Sequence, residues 1–315
     1  MDLEFNDVQS ALVDSLRSLL GRHAGPDRAR QVLASGHGDR ELMQALDTAG
    51  FLDLFSAEGA GPLEAELVVE EVARAAGVGP VGVRSLVAPV LLGHPVAQNV
   101  AIRDLADPGP VAFAAAADLV IVLDGDAAGV LRPEPGEIVP VGSPYQAAMG
   151  YVPDRLGDPL PPGSAQLARR WWQVAIAAEI AGRLTAALDL TVRYAKERTQ
   201  FGHPIGSFQA VQHRLAQLHI AVQKSTWLAR AAAWSGDPQM AAAAAALGSD
   251  TARWGSVELH QLTGAIGFTE EYDLHLWTMP LQALRVGLGG MAGHSRDLVA
   301  ARWAVPDATA GADVR

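Results

Sequence analysis

The 315-residue chain contains no cysteine, which removes disulfides, thiolate catalysis, Cys-ligated zinc and iron–sulfur clusters together. It is also short of positive charge: 24 Lys and Arg face 35 Asp and Glu, a formal net charge of −11. A nucleic-acid binder wants a basic face, so this balance excludes that class. A local basic spot can still hold a phosphorylated cofactor within the acidic field. Long apolar runs are missing as well. The Ala-rich stretch 241–246 falls far short of a membrane span, and the opening Met1-Asp2-Leu3-Glu4-Phe5 is acidic where a secretory leader is basic. His213, His260 and His294 show no metal-ligand spacing with one another, so no metal site is expected. The expectation is a cytoplasmic protein without nucleic-acid or membrane partners.

What is present is a globular chain, 49% hydrophobic and long enough for two or three subdomains. Residues 1–105 read as helical. Asn6 caps a first helix with Val8, Leu12, Leu16 and Leu19 at helical spacing, and Gly25-Pro26 breaks it. Asp39 caps a second, with Leu42, Leu46 and Ala49 inward and Gly50 as its stop. Between 63 and 76, Leu67, Val68, Val72 and Ala75 share one side, while Glu64, Glu66, Glu70, Glu71 and Arg74 fall mostly on the other.

The texture changes at Pro108-Gly109-Pro110. Residues 111–114, 119–123, 130–131 and 138–139 read as short strands, with Asp124-Gly125-Asp126 as a turn. The proline-rich stretch 153–163 reads as a linker. From about 166 the chain is helical again. Leu167, Trp171, Val174, Ala178, Ala181, Leu184, Leu188, Val192 and Ala195 keep a three- to four-residue spacing, flanked by the i,i+4 pairs Glu179–Arg183 and Asp189–Arg193. Two further helices, near 207–233 and 239–263, and a last helical stretch reaching Trp303 complete an antiparallel bundle. The fold class is mainly α: a helical domain 1–105, a small β-region with linker 106–163, and a helical bundle 164–315.

Residues 193–213 carry the strongest chemical signal. A helix ends at Arg198, the chain turns at Gly202-His203-Pro204, and a new helix opens with Phe208 and Gln209. Each residue alone is unremarkable, because an arginine at a helix C-terminus is favourable without any ligand. Together they offer a guanidinium suited to a pyrophosphate, two rings that can cover a flat surface, and the amides of Gln200 and Gln209.

This stretch, together with residues 261–272, resembles the two hallmark segments of the acyl-CoA dehydrogenases. The order of helical, β and four-helix domains is also similar to that family, and the likeness spans nearly the whole chain. It implies a flavoenzyme that binds FAD across a subunit interface. Carried onto this sequence, Arg198, Gln200, Phe201 and Gln209 contact the cofactor of a neighbouring subunit, and Gln261 and Gly264 line the same cofactor's AMP half. The family usually carries Gly-Gly-x-Gly in the second segment; here it reads Gly264-Ala265-Ile266-Gly267.

The family also needs a glutamate to take the α-proton of an acyl-CoA. The resemblance places that base at Leu288 or, in a minority of members, at Trp172; neither accepts a proton. No catalytic residue is therefore assigned. Glu179 is expected to be a structural ion pair, and Glu270 and Glu271 to cap or pair locally. The β-region is about half the family's usual length. These departures imply the short subunit of a heteromeric, α2β2 enzyme whose full-length partner supplies the base. Its substrate would be an acyl-CoA, with a bulky or steroid side-chain acyl group as one option, and its electron acceptor an electron-transfer flavoprotein. Two other classes remain open: a non-catalytic scaffold, and a flavin-free lyase or dehydratase on the same fold.

Overall fold

The computed structural model describes residues 4–93, 96, 99–145 and 148–303. Helix α1 (Asp7–His23) starts at Asn6, whose side chain accepts from the Gln9 N–H while Gln9 reaches back to the Asn6 N–H, a reciprocal capping box. Its buried stripe is Val13, Leu16, Leu19 and Leu20, with Val8 exposed, so the inward face is rotated from the one expected. After α2 (Pro26–Ser35), Asp39 caps α3 (Arg40–Thr48) and accepts two hydrogen bonds from Arg28, at 2.7 and 2.8 Å. Leu42 and Leu46 point inward as expected, but Ala49 is exposed.

Helix α4 (Pro62–Arg74) departs furthest from its pattern. Glu66, Glu70 and Glu71 are buried, because α1 and the C-terminal bundle cover the face that a single-stripe reading assigns to solvent. Glu71 accepts two hydrogen bonds from Arg17 of α1, at 2.6 and 2.8 Å. Glu70 accepts two from Arg230, at 2.8 and 2.9 Å. Glu66 is fully buried, and among the described residues neither of its oxygens has a hydrogen-bond partner. Burial, aided by the neighbouring Glu70 charge, pushes its pKa well above the usual carboxylate range. The helical region closes with a π-helical turn (Val83–Val87) and α5 (Ala88–Leu92).

The first strand, β1 (Val100–Asp104), lies inside the stretch read as helical. It pairs parallel with β2 (Leu119–Asp124), which pairs antiparallel with β3 (Ala127–Leu131). The turn Asp124-Gly125-Asp126 joins these last two as expected. Segment 111–114 forms only an isolated bridge from Val111 to Gly150, then a 3-10 turn. Short strands β4 (Val139–Pro140) and β5 (Gly150–Tyr151) pair with each other, and β6 (Asp158–Pro159) extends the main sheet. Thus the stretch read as linker supplies an edge strand, where proline is tolerated. The sheet order is β1-β2-β3-β6.

The 34-residue α6 (Ser164–Glu197) runs through the middle of the molecule. It packs against α4, α7 (Gln209–Ser235), α8 (Pro238–Thr263) and α9 (Leu274–Leu284). Small residues let these helices close around it: Ala177, Ala178, Ala181, Ala187, Ala229, Ala244 and Ala245 are all buried. Between α6 and α7 lies the hairpin β7 (Thr199–Gln200) and β8 (His203–Pro204). The last helical stretch is broken after α9 and resumes as α10 (Gly290–Trp303), packed on α8. Asp189 pairs with Arg74 of α4 at 3.0 Å rather than with Arg193. Among the described residues no helix is long and apolar enough to cross a membrane.

Candidate functional site

Helices α6 and α8 run parallel and pack directly on each other, with α7 antiparallel to both. The C-terminal ends of α6 and α8 and the N-terminal end of α7 therefore meet at one end of the bundle. Arg214 of α7 pairs with Glu258 of α8 at 2.7 Å, and the Tyr272 hydroxyl donates to the Leu190 carbonyl of α6 at 3.2 Å. Burial pushes the Tyr272 hydroxyl up to about 12, so it stays a donor. The two sequence segments, 198–209 and 261–268, are thereby placed at the same end.

The turn of the β7–β8 hairpin is Phe201-Gly202, with φ of 54° and 83°. Positive φ at both central residues is the type I′ geometry, which favours Asn-Gly. A phenylalanine there sits in the left-handed region at a cost of about 1–3 kcal/mol, and its ring is 90% exposed. The nearest aromatic, Phe208, meets it edge-on at 6.3 Å between centroids. Arg198 ends α6 with its N–H on the Tyr194 carbonyl, while its exposed guanidinium has no hydrogen bond or ion pair among the described residues. Gln200 turns its amide onto the Thr199 carbonyl at 2.7 Å. Gln209 and Gln261 are exposed.

Beyond Gln261, the chain leaves α8 through Gly264, at φ 64° and ψ −147°, a region essentially restricted to glycine. It returns over the helix end at Gly267, where a Cβ would overlap the Thr263 hydroxyl. Ala265 is exposed, so its methyl group meets no crowding within the chain. Phe268, 75% exposed, stacks at 4.9 Å on His260, whose ring hydrogen-bonds with Thr278 at 3.0 Å. Desolvation lowers the His260 pKa. An unpaired guanidinium, exposed rings and free amides at one bundle end fit a dinucleotide such as the FAD expected above.

The expectation for Glu270 and Glu271 is corrected. Both are exposed with no hydrogen bond or ion pair among the described residues, and Asp273 beside them pairs with Arg30 instead. Glu179–Arg183 does form, at 2.6 Å. Leu288 and Trp172, the two positions without a base, line one cleft of about 790 Å³ between the helical, β and bundle regions.

That cleft is what the sequence reading missed. Its walls include Val83, Phe113, Ile176 and Leu284, and it also carries Glu179 and Asp297. Gln173 donates to Asp297 at 2.7 Å and lies 3.5 Å from the ring of fully buried His294. Desolvation lowers His294 to about 4 and raises Asp297. A glutamine on the Ala-rich inner face of α6 was the available signal. No local spacing links it to Asp297, 124 residues later.

The sequence profile described as Acyl-CoA dehydrogenase, C-terminal domain, matches residues 170–303. Acyl-CoA dehydrogenase IpdE2 of Mycobacterium tuberculosis is 32% identical over 290 residues, covering 86% of this chain and 90% of its own. Among solved structures, the ChsE4-ChsE5 complex from Mycobacterium tuberculosis superposes with a TM-score of 0.81 at 20% identity, covering 97% of this chain and 100% of that one. The steroid ACAD Tcur3481-Tcur3483 gives 0.81 at 21% identity, covering 94% and 98%. At these identities the structural likeness bears on the fold.

Proposed function

Because the chain belongs to the acyl-CoA dehydrogenase family, we propose that it is one subunit of an FAD-dependent acyl-CoA dehydrogenase, gripping a neighbour's cofactor while a full-length partner supplies the catalytic glutamate. The observation that carries this reading is the strained, outward Phe201 beside the unpaired Arg198. Strain of this kind persists where function requires it; among the described residues Arg198 makes no side-chain hydrogen bond or ion pair, and the exposed Phe201 ring meets the edge of Phe208. Arg198 holds the pyrophosphate, Phe201 covers a ring, and Gln200, Gln209, Gln261 and the backbone at Gly264 complete the hydrogen bonding. The chemistry FAD supplies when bound is uptake of hydride from the acyl β-carbon. In this chain's own cleft, the family's base positions hold Leu288 and Trp172, so the general-base contribution of about 10²–10⁴-fold is missing there.

The similar structure is that of a ChsE4-ChsE5 complex, which supports a heteromer; we propose α2β2 stoichiometry. The similar steroid ACAD supports a bulky or steroid side-chain acyl-CoA as substrate, with an electron-transfer flavoprotein as acceptor. The test is to produce this chain alone and together with its candidate partner, then measure flavin content and acyl-CoA oxidation. Flavin and turnover should appear in the mixed complex. A yellow homo-oligomer of this chain alone, turning over at a comparable rate, overturns the proposal.

A further inference from the structure

The middle of α8 and the start of α10 border a second hollow of about 370 Å³, whose lining includes Ser249, Asp250, Arg253, Arg285, Gly290 and Met291. We propose that this hollow is an anion site that takes a phosphate group. The Arg285 and Arg253 guanidinium groups, the Ser249 hydroxyl and the N-terminus of α10 hold it there. Ser249 and Arg253 stand roughly 16–22 Å along α8 from Gly264, so the site is separate from the grip on the neighbour's cofactor.

Three observations support the assignment. Ser249 is 2% exposed, and among the described residues its hydroxyl has no hydrogen-bond partner. A helical serine often bonds back to the carbonyl four residues earlier, as Ser225 does to Ala221 and Ser256 to Ala252 in this chain. Ser249 does not, and it stands in the wall of the hollow. A buried hydroxyl without a partner carries a desolvation cost that an acceptor in the hollow would remove. Arg285 is the second observation. It sends Nε to the neutral side chain of Gln282 at 2.8 Å and forms no ion pair among the described residues, which leaves its terminal nitrogen atoms for an anion. The third is α10 itself, 14 residues long from Gly290. The first turn of a helix leaves backbone N–H groups unpaired at the positive end of its dipole. Leu288, Gly289 and Gly290, at φ of 52°, 78° and 60°, turn the chain into that helix, and Arg285 borders the same hollow as the helix start.

The charge of the lining selects an anion. The chain as a whole carries −11, yet two guanidinium groups and one carboxylate line this hollow. Asp250 accepts from Arg253 at 3.0 Å, and Arg285 remains as the surplus positive charge. A cation would meet both Arg285 and the positive end of α10. The donors belong to three elements: α8, the corner at Arg285 and α10. A phosphate group offers them three strong acceptor oxygens, whereas a carboxylate offers two in one plane.

The probes are inorganic phosphate and phenyl phosphate, titrated calorimetrically into the FAD-saturated complex, in which the bundle end is already filled. Both should bind at millimolar concentration, and more weakly as salt is raised. Tighter binding of phenyl phosphate marks the ligand as the phosphate end of a larger molecule resting on the half-exposed Val286 and Met291. Tighter binding of inorganic phosphate marks it as the free ion. Arg285→Gln should weaken both probes about 10- to 150-fold, the loss of one charged donor, and Ser249→Ala about 2- to 10-fold, the loss of a neutral one. Arg253→Gln, at an exposed position that also frees Asp250, should weaken both about tenfold or more and decides the matter if Arg285→Gln does not fold. Absence of binding by both probes at millimolar concentration overturns the inference, as does unchanged affinity in Arg285→Gln, Arg253→Gln or Ser249→Ala. The titrations are repeated on this chain alone, because every group of the site belongs to it. Binding there that the variants weaken, with no flavin in any complex, keeps this inference and sinks the subunit assignment. Flavin-replete complex that binds neither probe does the reverse.

Discussion

Replacing Glu66 should make the protein more stable, and more so at neutral than at acid pH. Glu66 is wholly enclosed and among the described residues both oxygens lack partners, while Arg230, the nearest cation, is committed to Glu70. Desolvation raises its folded pKa well above the ordinary value of 4.5. Below that value the carboxyl is protonated in both states and folding is indifferent to it. As pH rises, the unfolded chain releases the proton and the folded chain keeps it, so stability falls from about pH 4.5 upward until the folded pKa is passed. The loss is therefore greater at pH 7 than at pH 5. Glu66→Leu removes the ionisable group at similar volume. It should therefore stabilise by about 1–3 kcal/mol at pH 7, the range for a buried polar group without a partner, and by less at pH 5. Glu66→Gln should abolish the pH dependence while keeping a buried polar group, and so stabilise less. Differential scanning calorimetry at both pH values measures the effect. A Tm lowered at both, or shifted equally at both, would show that the carboxyl contributes a favourable interaction and refute the reasoning.

Other outcomes follow from the same geometry. Arg198→Ala should weaken flavin retention in the assembled complex roughly 10- to 150-fold with helicity unchanged; full retention removes Arg198 from the site. Phe201→Asn should relieve the left-handed strain and raise stability by about 1 kcal/mol, yet lower flavin content; an unchanged flavin spectrum would show that the ring is not a cofactor contact. Glu179→Gln leaves the buried Arg183 guanidinium without its counter-charge and should cost about 1.5–3 kcal/mol, which denaturant titration checks. His294, held near 4 by desolvation, should make stability fall as pH drops through the window from 6.5 to about 4. His294→Gln should flatten that window in a pH series of melts, and a slope persisting in the variant would place its origin elsewhere.

Much was determined locally. Asn6 and Asp39 cap their helices because a side-chain oxygen three residues from an N–H needs no tertiary help. The long period of α6 and the corner at residues 198–209 were likewise legible, since helix spacing and turn chemistry are short-range. Glu179–Arg183 formed for the same reason. Where faces are shared, local rules lost. The glutamates of α4 went inside because packing from both sides consumed the face a single stripe leaves to solvent, and Arg17 and Arg230, 54 and 160 residues away, met two of them. Asp189 chose Arg74 over its own helix neighbour, since a cation on an adjacent helix competes directly with one a turn away. Strand β1 escaped notice because its partner lies in the next segment. The cleft brings together Phe113, Glu179, Leu288 and Asp297 from separate elements. Sequence supplies those groups one by one; only the crossing of three regions decides that they face a common space.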